Sequence, residues 1–413
     1  MRKIYTSIDI GTSSIKVLVA EVDKDKINVL ASSCVSAKGI KYGLIVDANE
    51  TVESIKEAIA IVEGKLGITI DKIIASIPSY NVNYNIISGK TKVTSEDSKV
   101  DGDDILRAIQ NGIKGKLDNT KEFVTFVPID FILDGNSMIK DPKGLVGNIL
   151  EIKYMMVTTP KKNVYSVVGI LESMGIEVID INISPICDYE TFRNKEIDKE
   201  ISAVINIGYE TTTVSLFNKG IIINSEILKI GGKNIDNDIS YVFNLSSEDS
   251  NKIKEKFSLA HKRFAKIEEV TEMLTISRDL VKINQYDLSQ VVMSRIEEIL
   301  ELAKKQLFLL TNKEIKYIII TGGSSEIPQM QYMVEEVLED NAYVTNISDI
   351  GIRNNKYSTV IGLIKSFDRK LSMRGKVYSM FSLEKQEDMS IPKRRNLVED
   401  GVLGKVFGIF FDN

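Results

Sequence analysis

The spacing of apolar and polar positions changes several times along the chain, and each change predicts a different kind of element. Residues 4–10 and 15–22 read as two strands of a hairpin around GTSS, with 27–36 as a third strand. Residues 50–66 carry a helical repeat, and 71–77 form a short buried run beyond the turn that begins at Gly67. The texture differs across 81–160, where the alternating stretches NVNYNIISG, FVTFVPIDFILDG and NILEIKYMMVTT surround one helix from Asp103 to about Gly115. That pattern predicts a small α+β unit inserted into an α/β frame, to which helix 161–174 and strand 176–182 return.

A second cycle then begins. AVINIGYETTTVSLF at 203–217 is a strand, a glycine turn and a strand, an echo of SIDIGTSSIKVLVAEV near the start, and IIINSEILKI supplies a third strand. Residues 233–312 read as helical and charged. KYIIITGGSSEIPQM at 316–330 is a buried strand, a Gly-Gly turn and a helix start, with Pro328 expected in the first helical turn. From Asp368 to Asn396 the period is lost in a Ser/Lys/Arg/Glu-rich stretch that reads as a linker. Two glycine-turned hairpins facing one another would make a two-lobed clamp for a nucleotide.

Composition removes other classes. At 413 residues the chain has room for two or more domains, and its 43% hydrophobic and 27% charged content is that of a globular protein. A net charge of −5 argues against a nucleic-acid partner, because such domains carry a basic excess. Cys34 and Cys187 stand in unrelated contexts, which fits a reducing compartment and neither a disulfide framework nor a metal knuckle. The one histidine, His261, lies in KFSLAHKRFAK, read as a solvated helix surface, so triad catalysis and a multi-histidine zinc site are not expected. The early apolar run is interrupted by Asp9 and is too polar for a signal peptide. No window approaches about 18 consecutive apolar residues, so membrane contact would be peripheral.

Candidate chemistry sits at the glycine turns. In DIGTSSIK, a tight turn of Gly11 with Thr12, Ser13 and Ser14 lets several backbone N–H groups converge as a nest for phosphate. Asp9 at the strand end suits a hydrated Mg²⁺, and Lys16 reaches phosphate oxygens as a point charge. An ordinary β-turn would account for this motif alone. NIGYETTT offers Gly208 in matching geometry, TGGSSEIP brings Gly322 and Gly323 where a ring or ribose could approach, and Gly231-Gly232 opens a helix as a fourth such turn. Four glycine turns at strand ends point to a nucleotide site.

In this order, DIGTSSIK, NIGYETTT, IGGKNIDNDI, TGGSSEIP and YSTVIGLIKSF resemble the actin/Hsp70/sugar-kinase superfamily. Within it the chain is similar to the bacterial cell-division family FtsA over essentially 1–413, most specifically in FVPIDFILDGNSMIKDPKGLVGNILEIKYMMVT, while IGGKNIDNDI, SNKIKEKFSLA, SRIEEILELAKKQL and the tail, which resembles the family's membrane-targeting helix, also match. The resemblance implies a two-lobed actin-like ATPase fold. The first lobe would be 1–80 with 161–200 and the α+β insert 81–160. The second would have a core of 201–226 with 306–367 and a helix-rich part of 227–305. A linker at 368–397 and an amphipathic helix at 398–413 would follow.

It implies that Gly11, Thr12, Ser13, Ser14 and Lys16 hold the β/γ-phosphates of ATP, with Asp9 facing the Mg²⁺ shell through water. Gly208, Tyr209, Glu210, Thr211 and Thr212 would form the second phosphate loop. Gly231, Gly232, Lys233, Lys254, Gly322, Gly323, Ser324 and Ile327 would frame ribose and adenine. The chain departs from the superfamily at Asn206, where Asp is usual, at Tyr209 and Gln329, where Gly is usual, and at Thr213, where Asp is common. Asparagine presents a neutral carbonyl to a metal-bound water, and these loops show no other general base, so the expectation is ATP binding with slow or negligible hydrolysis and no catalytic residue beyond the Asp9 and Asn206 water positions.

The last residues form a separate feature. On a helical wheel from Asp400, Val402, Leu403, Val406, Phe407, Ile409 and Phe410 share one broad face, and Phe411 adds a third phenylalanine. Gly401, Gly404, Lys405 and Gly408 occupy the other. This is a peripheral foot for the headgroup–acyl boundary, aided on anionic lipid by Lys393, Arg394 and Arg395, although a helix docking back on its own body would carry the same pattern. Helix 289–310 has an apolar face suited to a core. The resemblance implies that its Arg295 and Glu298 contact the C-terminal peptide of FtsZ, the alternative being an ion pair on a solvated face. It further implies self-polymerisation, contacts of 81–160 with other divisome proteins, and a place on the cytoplasmic side of the membrane at the septum. A sugar or carboxylate kinase, or an actin-like pilus or shell scaffold, would share the nucleotide site.

Overall fold

A computed structural model describes residues 2–24, 26–347 and 351–390. The first lobe opens with strands β1 (Lys3–Ile10), β2 (Ser14–Asp23) and β3 (Lys26–Ser36). A two-residue pair, β4 (Ile40–Lys41) and β5 (Leu44–Ile45), precedes helix α1 (Ala48–Leu66) and strand β6 (Lys72–Ile77). Ile15 to Ala20 of β2 are all buried, as expected for a strand covered on both faces, because α1 packs on β2 and β3 while the helix Ser358–Met373 packs on β1, β2 and β6. The side chain of Asp47 caps α1 at the Glu50 amide, and Gly67 ends it in the left-handed region.

The insert comprises β7 (Asn83–Lys92), α2 (Gly102–Ile113), β8 (Lys121–Leu133), β9 (Asn136–Ile139) and β10 (Ile149–Pro160). Its sheet runs β7-β10-β8-β9 with α2 against β7 and β10, and it has its own core around Ile105, Ile109, Ile152 and Tyr154. The chain returns through α3 (Lys161–Ser173), β11 (Glu177–Ile183) and α4 (Ser184–Phe192). In the second lobe β12 (Ile201–Ile207), β13 (Thr212–Asn218) and β14 (Ile221–Leu228) lead to α5 (Gly232–Phe243) and α6 (Ser247–Phe257). Then come β15 (Val270–Leu274), β16 (Leu280–Asn284), α7 (Gln285–Leu310), β17 (Tyr317–Thr321), α8 (Met330–Leu338), β18 (Ala342–Val344), α9 (Ser358–Met373) and α10 (Leu383–Ser390).

The two large sheets are copies of one plan. In β11-β6-β1-β2-β3 the first three strands in sequence are antiparallel neighbours, and β6 and β11 add in parallel. The second sheet, β14-β13-β12-β17-β18, repeats this. The register repeats too: Asp9 opposes Lys16 across the first hairpin, and Asn206 opposes Thr213 across the second.

Three local expectations are corrected. Residues 233–312 are not helical throughout, because β15 and β16 interrupt them as a hairpin whose alternating side chains include a Lys282–Glu272 pair at 3.5 Å; the charge of the segment hid a two-residue period. Pro328 precedes α8 and is not in its first turn, since Gln329 caps that helix with φ +68°. The linker expected at 368–397 is packed chain as far as it is described. Helix α9 runs on to Met373, and Asp368 accepts hydrogen bonds from Lys3 and Tyr5. Met380 and Phe381 are buried in the first-lobe core, where the Met380 amide bonds the Ile4 carbonyl at 3.0 Å. Polar composition masked those anchors.

Candidate functional site

The turns of the two repeated hairpins face a cleft of about 1060 Å³ between the lobes. At the first turn the Gly11 amide bonds the Ser14 carbonyl, the Ser13 carbonyl accepts from Ala37, and the Thr12 hydroxyl accepts from the Gly43 amide at 2.8 Å. Asp9 and Lys16, cross-strand partners at the strand ends, pair at 3.1 Å, and the Ser76 hydroxyl donates to the other Asp9 oxygen at 2.8 Å. The floor is thus a backbone turn flanked by a held carboxylate and a lysine, which suits an anion accompanied by a cation.

The second turn closes by the Gly208 amide on the Thr211 carbonyl at 2.9 Å. It is held from behind: the Gly208 carbonyl accepts from the Gly232 amide and the Ser324 hydroxyl, and the Tyr209 carbonyl accepts from Lys233. Gly322 has φ +98° and lies against β12, where a Cβ would overlap the Asn206 side chain and stand 2.6 Å from the Ile207 carbonyl. Only glycine fits there.

Of the residues singled out from sequence, Asp9, Gly11, Thr12, Ser13, Ser14 and Lys16 line the cleft from the first lobe. From the second lobe Asn206, Gly208, Tyr209, Thr211, Lys254, Gly322, Gly323, Ser324 and Ile327 line it. Five are not among the lining residues. Gly231, Gly232 and Lys233 support the second turn, and Thr212 is fully buried with its hydroxyl on the Ile230 carbonyl. Glu210 is buried, pairs with Lys233 at 2.6 Å and accepts from the Tyr42 amide at 2.6 Å, so it ties the second lobe to the first.

Lys254 is a buried cation, paired at 2.6 Å with the fully buried Asp236 and 5.7 Å from the centre of the Tyr209 ring. Burial, with Asp236 nearby, pushes the Tyr209 hydroxyl up to about 12. Residues not singled out complete the wall. Ser358 and Thr359 at the start of α9 line the cleft, and both hydroxyls donate to one oxygen of Asp188, at 2.7 and 2.9 Å. The Asn206 amide donates to the other at 2.6 Å. Asp188 is 1% exposed; burial, reinforced by Asp9, raises its carboxyl to about 6 against the opposing effect of these three bonds. Nothing in SPICDY announced a buried acid, because its partners are 18, 170 and 171 residues away.

Among the described residues there is no cluster of three or more metal-ligating side chains. The donor set of one carboxylate, one amide and several hydroxyls fits Mg²⁺ that keeps its waters and is held partly by phosphate. His261 is not on a helix; it caps a short turn and faces Glu336 at 3.1 Å. On α7, Arg295 makes two bonds to Asp238 of α5, at 2.6 and 3.0 Å, and also pairs with Glu298. No helix among the described residues is long and apolar enough to cross a membrane. Val402, Leu403, Val406, Phe407, Ile409, Phe410 and Phe411 lie outside the described residues.

Two repeated mixed sheets around a cleft, with a four-stranded insert on the first lobe, define a protein of the actin-like ATPase fold. Solved structures agree: a PilM–PilN type IV pilus biogenesis complex matches with TM-score 0.57 at 14% identity, over 89% of this chain and 98% of that one. MreB5 of Spiroplasma citri bound to ADP matches with TM-score 0.53 at 12% identity, over 91% and 99%. The model of the cell division protein FtsA matches residues 203–362, and that of the SHS2 domain inserted in FtsA matches 81–158. The FtsA of Streptococcus pneumoniae (serotype 2, strain D39) is 31% identical over 87% of this chain and 79% of its own length, and that of Bacillus subtilis (strain 168) is 29% identical over 91% and 86%. The chain belongs to the FtsA family of cell-division proteins.

Proposed function

We propose that this chain binds ATP with Mg²⁺ in the interlobe cleft and assembles with further copies of itself on the cytoplasmic face of the membrane at the septum. There it tethers filaments of FtsZ. The observation that carries this reading is the pair of facing glycine turns, each closed by its own glycine amide at a strand end, with Asp9 and Lys16 on one side and Asn206 on the other. Bound there, Mg²⁺ would neutralise phosphate charge. Gly11 to Ser14 and Lys16 would hold the phosphates, and Tyr209 and Lys254 would stand beside the base and ribose.

Slow turnover follows from the same groups. Asp9 is the one aspartate lining the cleft among the described residues, and it is committed to Lys16 and Ser76. A kinase needs a carboxylate free to take a proton from its acceptor; Asp9 is committed, and the other carboxylates lining the cleft among the described residues are those of Glu248, Glu255 and Glu326. Arg295 and Glu298 would meet the FtsZ peptide by giving up part of their bonding to Asp238 and to one another, and the insert would meet later division proteins.

The test is co-sedimentation with anionic liposomes in the presence of ATP, comparing the full chain with one stopped at Glu399. Pelleting of the full chain alone supports the tether. If neither pellets, the membrane role is lost and a soluble actin-like ATPase or kinase takes its place. Arg295→Glu should abolish binding of the FtsZ C-terminal peptide, and retained binding would refute that contact.

A further inference from the structure

The two halves of the cleft are built alike except in charge. Where the first hairpin ends in an Asp–Lys pair, the second ends in Asn206 and Thr213, both neutral. Behind Asn206 a carboxylate stands one step back, on α4 of the first lobe: Asp188, which does not line the cleft but accepts bonds from three groups that do. Because a carboxylate only accepts, each of these groups must spend a proton on it. The Asn206 amide is thereby fixed with its NH₂ toward Asp188 and its carbonyl turned away. The Ser358 and Thr359 hydroxyls, on residues 1% and 5% exposed, spend their protons on Asp188 and keep their lone pairs.

A tie between helices does not explain the choice of a charged residue. Helices α4 and α9 are already held by Thr191 on the Ser358 carbonyl at 2.6 Å, and by a crossing so close that a Cβ on Gly362 would overlap the Cys187 carbonyl. No ion pair among the described residues includes Asp188, and a buried carboxylate bonded only by neutral donors is costly to keep. Asp9 reaches it from the other hairpin with further repulsion. A hydrated divalent cation between the hairpins lowers both costs.

We infer that Asp188 is a positioning residue for that cation. It fixes the protons of Asn206 on the second lobe and of Ser358 and Thr359 on α9, which packs on the first-lobe sheet, so that the oxygens these three groups keep for the water shell of Mg²⁺ are set through its carboxylate. This rests on the nucleotide site proposed above and adds a residue to it.

The experiment follows binding of a fluorescent ATP analogue to the full chain as Mg²⁺ is raised from a chelated baseline, with Mn²⁺ binding read in parallel by electron paramagnetic resonance. For Asp188→Asn, which keeps shape and loses charge, the Mg²⁺ midpoint should rise about tenfold or more while metal-free nucleotide affinity stays near the wild-type value. The exchange variant Asp188→Asn/Asn206→Asp returns a carboxylate to the strand end and should recover most of the Mg²⁺ response. A folded Asp188→Asn with the wild-type midpoint, or an exchange variant as insensitive to Mg²⁺ as the single one, would overturn the role and leave Asp188 a structural tie. If the single variant does not fold, the exchange variant decides: recovery supports the role and insensitivity overturns it. A wild-type chain that binds the analogue with no Mg²⁺ dependence overturns this inference alone; one that binds no nucleotide overturns the site with it.

Discussion

Cys34 and Cys187 have opposite surroundings in one lobe. Cys34 is exposed on β3 and lines the cleft beside the first turn, whereas Cys187 is fully buried on α4, where burial raises its thiol well above the ordinary range. A maleimide should label Cys34 within minutes and Cys187 only on unfolding, and ATP should slow the first reaction. Mass spectrometry of the labelled peptides would report both, and equal labelling of the two would contradict the burial. Backbone strain gives two further tests by urea denaturation. Gln329 holds a left-handed conformation, so Gln329→Gly should raise stability by about 0.5–1 kcal/mol. Gly322→Ala should lower it by about 3 kcal/mol or more, because φ, Asn206 and the Ile207 backbone all oppose a Cβ. Asn206, Tyr209 and Gln329 were legible as departures from a pattern. What each departure does was not, since Gln329's cost depends on φ and Asn206's role on Asp188.

At the scale of elements, the stretch after α9 behaves as a strap. Phe381 is 2% exposed, Gln386 of α10 bonds the Phe381 carbonyl, and Lys385 pairs with Asp71 at 3.0 Å. Phe381→Ala should therefore destabilise the first lobe by about 3–4 kcal/mol, seen as a lower urea midpoint, whereas a free linker would show no change. Strands and hairpin turns were readable because alternation and glycine are local signals. The strap was not, because a few apolar anchors among charged residues leave no period to detect, and the β15–β16 hairpin was not, because its charged residues hid a two-residue period.

At the scale of the whole molecule, the lobes are joined across the cleft mouth. Glu210 spans Lys233 and Tyr42, and Tyr84 of the insert meets Ser225 at 2.6 Å. Removing Glu210 costs one charge-assisted bond between lobes, so Glu210→Ala should speed release of a bound ATP analogue about tenfold in stopped flow; an unchanged rate would show that the closure does not hold the ligand. The sequence by itself determined the duplicated hairpins, the inserted α+β unit and the glycine turns, because each is written as local period and turn chemistry. Only the tertiary structure decided which turn residues face the cleft and which prop it from behind, and that Asp188 meets Asn206, Ser358 and Thr359. Those neighbours are set by the docking of two sheets and two crossing helices, and the cost of a buried charge exists only once that docking has removed water from around it.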